Sequence, residues 1–157
     1  MNFRNNDLEN KLNFALANVE KNNLEKAAEI YKKILKKYPN NFDANFNLGT
    51  IFAKKNNLKK SVELLEKAAS INPNLETIFN NLGLIYLNLG NKEKAEENTK
   101  KAIKLNPNSS IAYNHLGLIY LNSGNVNEAI ASYLKSLKFN PNNIPANYNL
   151  GNLFQRI

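Results

Sequence analysis

The sequence predicts an all-α protein, a solenoid of about nine helices stacked as antiparallel pairs. Three observations predict it. Pro39, Pro73, Pro107 and Pro141 recur every 34 residues. Gly49, Gly83, Gly117 and Gly151 recur at the same period, each directly after a leucine (Leu48, Leu82, Leu116, Leu150). Phe52, Tyr86, Tyr120 and Phe154 each follow the glycine by three residues. Independent columns at one period mark a structural repeat whose units cannot bury their apolar faces alone, so that stacking supplies the core.

The period divides the chain into one domain of four repeats, 8–41, 42–75, 76–109 and 110–143, and a half repeat, 144–157. The first repeat departs most from the pattern, with Lys11, Ala15 and Asn18 at its signature positions, as a terminal repeat with one side in water does. Its glycine position holds Ala15, the next smallest residue. Ala27, Ala95 and Ala129 share a register in the second half of their repeats, and Ser61 replaces the alanine in repeat 42–75. The inter-helix turns of the first two repeats carry Asn22 and Asn56 where later repeats have Gly90 and Gly124. Asparagine tolerates the left-handed conformation that such a turn needs.

Repeat 76–109 shows the two-helix reading in full. Phe79, Leu82, Ile85, Tyr86 and Leu89 have helical spacing, which stops at Gly90-Asn91. Ala95, Ala102, Ile103 and Leu105 form a second helical stripe, ended by Pro107. Thr99 stands where repeats one and four have Tyr31 and Tyr133, a smaller fill at one core site. In each Leu-Gly pair the glycine sits inside a helix, where it costs about 1 kcal/mol against alanine. Its regular return implies close helix–helix approach. In the half repeat, Pro145 fits the first turn of a helix. Leu150, Phe154 and Leu153 are expected to pack on the preceding repeat, leaving that helix to act as a cap, to meet a second copy, or to be followed by further chain.

The pattern resembles the tetratricopeptide repeat, on Asn81-Leu82-Gly83, Tyr86, Gly90, Ala95, Ala102 and Pro107 and their equivalents from Leu8 to Ile157. The resemblance implies a right-handed superhelix. It also implies that the first helix of each pair lines a concave surface and the second forms the convex back. On that assignment Lys26, Lys32, Lys33, Lys36, Lys37, Lys60, Lys67, Lys94, Lys100, Lys101, Lys104, Lys135 and Lys138 lie on second helices. First helices contribute few basic residues, Lys11, Lys54 and Arg156 near the end, so the groove reads as neutral.

Asn13, Asn47, Asn81, His115 and Asn149 occupy one column, directly before the small residue pair of each first helix. An amide side chain offers donors and an acceptor together and can bracket one peptide unit of an extended chain. Helices pack about 8–10 Å apart and an extended chain advances about 3.3–3.6 Å per residue, so one amide would meet about every third ligand residue. Phe46, Asn80, Asn114 and Tyr148, one column earlier, are candidates for side pockets that add selectivity. The column is similar to the asparagine ladder in the repeats of O-linked N-acetylglucosamine transferase, which holds peptide backbones. Asparagine makes up 33 of the 157 residues, so a column of spacers is the competing reading. A second mode of the family grips a C-terminal carboxylate with lysines that would fall at Leu12 and Thr77, and that mode is disfavoured here.

Composition narrows the chemistry. The chain has no cysteine and one histidine, which excludes thiol chemistry, disulfides and His-rich metal sites. No cofactor is implied, and no phosphate loop or nucleophile elbow is present, so an enzyme is not expected. Asn108-Ser109-Ser110 matches a glycosylation acceptor, which is discounted because Met1 to Asp7 have no apolar signal core. The expected location is the cytoplasm, with no membrane span. Three functions follow. The first is a non-catalytic adaptor that binds an extended peptide of another protein, with a homodimer through the last helix as an option. The second is a substrate-recognition module for a partner or fused transferase. The third is weak nucleic-acid binding by the basic back, prompted by the net charge of +8 and the dense cluster Lys32 to Lys37. Glu96 and Glu97 read as an ion-paired helix surface.

Overall fold

The structure, a computed structural model, describes residues 3–155, with side chains from residue 6. Arg156 and Ile157 lie outside the described residues. Those residues form nine α-helices and no strand: α1 (Phe3–Glu20), α2 (Leu24–Lys37), α3 (Phe42–Lys54), α4 (Leu58–Ile71), α5 (Glu76–Asn88), α6 (Lys92–Leu105), α7 (Ser110–Asn122), α8 (Val126–Phe139) and α9 (Ile144–Phe154). No described helix is long and apolar enough to cross a membrane. The helices fall into two compact units, residues 1–73 and 74–157. In the first, α1 packs on α2, α2 on α3 and α3 on α4. In the second the same order runs from α5 to α9, with α5 also against α7.

The turns form as their residues dictate. Asn22 and Asn56 have φ of 58°, and Gly90 and Gly124 have φ of 77° and 79°. That left-handed residue lets the following N–H reach back to the helix, Asn57 to the Phe52 carbonyl at 2.8 Å and Asn91 to the Tyr86 carbonyl at 2.9 Å. At the other ends, Asn41 and Asn143 cap α3 and α9 by accepting from the Ala44 and Ala146 amides at 2.8 and 3.1 Å. Pro145 sits in the first turn of α9. Part of the asparagine excess is therefore structural.

Each unit has its own core. Ala15, Ala27, Tyr31, Ile34, Ala44, Leu48 and Ile51 are buried together in the first. In the second, Ala129 and Tyr133 are buried with Leu150 and Leu153 of α9. The glycine column works by close approach. A Cβ on Gly49 would lie 2.9 Å from Leu65 Cγ, and one on Gly117 would lie 2.5 Å from Tyr133 Cε1. Ser61 earns its place in the alanine column through a buried hydrogen bond, donating to the Gly49 carbonyl at 2.7 Å. Phe154 does not pack as its column suggests. It is 57% exposed while Leu153 is buried, because its equivalents Tyr86 and Tyr120 pack on the second helix of their own pair, and among the described residues no such helix follows α9.

Thr99 is fully buried and its hydroxyl has no hydrogen-bond partner. Thr99→Val keeps the shape and removes the orphaned group, so we expect urea unfolding to show a gain of about 1 kcal/mol.

Candidate functional site

In the first unit, α1 and α3 bring Asn13 and Asn47 to one cleft of about 300 Å³, whose walls also include Glu9, Leu12, Leu16, Tyr31 and Asp43. Asn13 is exposed and Asn47 half-buried. The Asn47 amide nitrogen donates to the Asp43 carbonyl at 2.9 Å, one turn back on its own helix. That bond fixes the side chain and leaves its oxygen and one N–H to meet a ligand.

The neutral groove expected from the lysine distribution does not hold in this unit. Glu9 and Asp43 are one 34-residue step apart and precede Asn13 and Asn47 by one helical turn. They bring two exposed carboxylates to the same cleft, and neither is in a salt bridge among the described residues. Their 34-residue spacing is the signal in the sequence that joins them. Tyr31 is 1% exposed and its hydroxyl has no hydrogen-bond partner. Burial, and behind it the negative charge of Asp43, pushes that hydroxyl up to about 12.

In the second unit Asn81, His115 and Asn149 are half-buried. Asn80 and Asn114, expected to line side pockets, are buried at 5% exposure each. Their amide oxygens are taken by the next first helix. His115 Nδ1 donates to Asn80 Oδ1 at 2.7 Å, and Asn149 Nδ2 donates to Asn114 Oδ1 at 3.2 Å. Neighbouring residues on a helix point about 100° apart, so one member of each pair turns toward the adjoining helix. Asn80 and Asn114 thereby position His115 and Asn149. Of the other two members of that column, Phe46 is half-buried and stacks on Phe42 at 5.9 Å, and Tyr148 is 68% exposed. Burial holds the His115 ring down to about 4, outweighing the bond to Asn80, which acts in the opposite direction.

Several second-helix lysines lie over aromatic rings. Lys101 lies 4.0 Å from the centre of the Phe79 ring, Lys94 4.9 Å from Tyr86, and Lys26 5.0 Å from Phe14. Lys32 and Lys60 flank Phe52, each at 5.7 Å. These aromatic faces are thus already covered by cations of this chain. Tyr31 and Tyr133 are core residues, as their spacing suggests, whereas Phe139, whose spacing predicts the same, is 37% exposed and stacks on Tyr113 at 5.6 Å at the end of α8. Glu96 pairs with Lys100 at 2.7 Å, the ion-paired surface expected there. Among the described residues, no three His, Asp or Glu side chains converge as a metal set.

The asparagine column, the glycine contacts and the left-handed turns all repeat with the helix pair, and comparison with known families agrees on what that pair is. Family models described as tetratricopeptide or TPR repeat match residues 12–76, 77–109, 99–131 and 119–157. The chain is built of tetratricopeptide repeats. Solved TPR structures align over most of its length. A crystal structure of MamA is 27% identical, with a TM-score of 0.81 over 90% of this chain and 82% of that one. YrrB, described as a TPR protein with an unusual peptide-binding site, is 25% identical, with a TM-score of 0.77 over 93% of this chain and 75% of its own. PilF of Pseudomonas aeruginosa, at 23% identity and a TM-score of 0.84 over 98% of this chain and 70% of that one, shares the fold. No curated protein matches the sequence. The special likeness to the asparagine ladder of O-linked N-acetylglucosamine transferase receives no support from these matches.

Proposed function

We propose that this TPR chain is a non-catalytic protein-interaction scaffold, and that it holds an extended peptide segment of its partner along the faces carrying the asparagine column. The observation that carries the reading is the cleft of the first unit, where Asn13 and Asn47 from successive first helices line one cavity. Asn47 is held by its own helix with an acceptor and a donor still to offer, which suits one peptide unit. In the second unit His115 and Asn149 are held in register by Asn80 and Asn114, so that unit carries its own ordered stretch of the same column. The peptide-binding description of YrrB fits this reading. Its expected setting is the cytoplasm.

The test begins with a tagged pull-down from native lysate, with nuclease treatment and a high-salt wash. Proteins retained through both are then measured against Asn47→Ala/Asn81→Ala, one position in each unit. Each lost peptide contact is worth about 0.5–1.5 kcal/mol, so affinity should fall about tenfold or more while the helix signal stays unchanged. Unchanged affinity in the folded double variant would remove the ladder from the mechanism. Retention that vanishes with nuclease would move the function to the lysine-rich second helices.

A further inference from the structure

The first-unit cleft carries a charge character that the amide column alone does not explain. Glu9 and Asp43 enter it from two helices in the same register, one turn before the amides. Tyr31, on a third helix, contributes a buried hydroxyl with no partner. Leu12 and Leu16 supply apolar wall beside these polar groups. The second unit has Thr77 and Ile111 at the positions equivalent to Glu9 and Asp43, so the two units do not share this feature.

We propose that the first-unit cleft takes the cationic side chain of an arginine, supplied by an extended peptide. This deepens the peptide-holding reading above and rests on it. Two carboxylates with no salt-bridge partner among the described residues attract a cation. The polar groups come from three helices: carboxylates from α1 and α3, the Asn47 amide of α3, and Tyr31 of α2 in the wall with its hydroxyl buried. A guanidinium presents five N–H donors in a planar fork and can meet acceptors in several directions at once, whereas a lysine ammonium meets them from one point. The arginine stem is apolar and matches the leucine wall. The same geometry repels a peptide's C-terminal carboxylate, in keeping with Leu12 standing where a carboxylate-gripping lysine would be needed.

The experiment titrates the ¹⁵N-labelled full chain with Ac-Ala-Ala-Arg-Ala-Ala-NH2 and with its citrulline analogue, which keeps the shape and loses the charge. The arginine peptide should shift the side-chain amide signals of Asn13 and Asn47 and bind about tenfold more tightly than the citrulline peptide. Glu9→Gln/Asp43→Asn should erase that preference. Both residues are exposed, so the variant keeps its fold, which its unshifted core signals would verify. Equal binding of both peptides at Asn13 and Asn47 would overturn the arginine assignment and leave the peptide-holding reading standing. Arginine-dependent shifts that fall away from the cleft, or that persist in the double variant, would overturn it too. Should neither peptide move the cleft signals, the assignment also falls, and the wider reading is then judged on the Asn47/Asn81 variant alone.

Discussion

Gly117→Ala is expected to cost about 2–3 kcal/mol of unfolding free energy, while Gly151→Ala, at the same repeat position, gains up to about 1 kcal/mol. The added methyl group is the same and the helix propensity gain is the same. The surroundings differ. At Gly117 the new Cβ would lie 2.5, 2.7 and 2.9 Å from Cε1, Cδ1 and Cζ of Tyr133. That ring is fully buried, so it cannot swing aside without displacing the core around it. At Gly151 nothing lies within 4 Å of the new methyl. Urea unfolding of the two variants beside the parent chain decides the matter. Equal effects would mean that the Tyr133 ring can retreat, and that close approach is not why the glycine is there.

The second large effect is on pH. His115 is the single histidine of the chain, so it is the side chain whose ordinary titration falls between pH 5 and 7. In the unfolded chain it takes up a proton as pH falls through its ordinary value of 6.5, but in the folded protein burial delays this to about 4. Below pH 6.5 protons therefore favour the unfolded state. Stability is intact at pH 7 and declines as the pH falls, by about 2 kcal/mol at pH 5. Asp7 and Glu25 do not confuse the measurement, because hydrogen bonds from Lys11 and Lys55 hold their carboxyls below the ordinary range. His115→Asn places the commoner residue of the column opposite Asn80 and should flatten the profile between pH 7 and pH 5. A variant that loses as much stability as the parent over that range would assign the effect to some other group.

Much of the fold is legible in the sequence because steric constraints recur at each repeat. Pro39 and its three successors end second helices, and Asn22 and Asn56 take the left-handed turn conformation that glycine takes later. Gly49 and Gly117 mark close approach, and both meet side chains of the paired helix. The groove was less legible. Asn80 and Asn81 are chemically identical neighbours, and the sequence does not say which one turns toward the next helix. That depends on how the helices are rotated about their axes, which packing sets. Glu9 and Asp43 are legible only as a pair: each is unremarkable alone, and the 34-residue step that joins them brings both to one cleft. Phe154 follows its column in identity but not in burial, because burial comes from a neighbour and not from the residue itself.

The bonds from His115 to Asn80 and from Asn149 to Asn114 bear on how such a chain can grow. Helix α7 carries both halves of this link, His115 as the donor toward the helix before and Asn114 as the acceptor for the helix after. A helix pair of this kind is therefore a self-compatible module. A duplicated copy inserted beside the original would find a donor on one edge and an acceptor on the other, with no polar group stranded at the new joint. Lengthening by whole modules then needs no compensating substitution at this position, whereas replacing Asn114 by a residue without an acceptor, or His115 by one without a donor, breaks the link on one side.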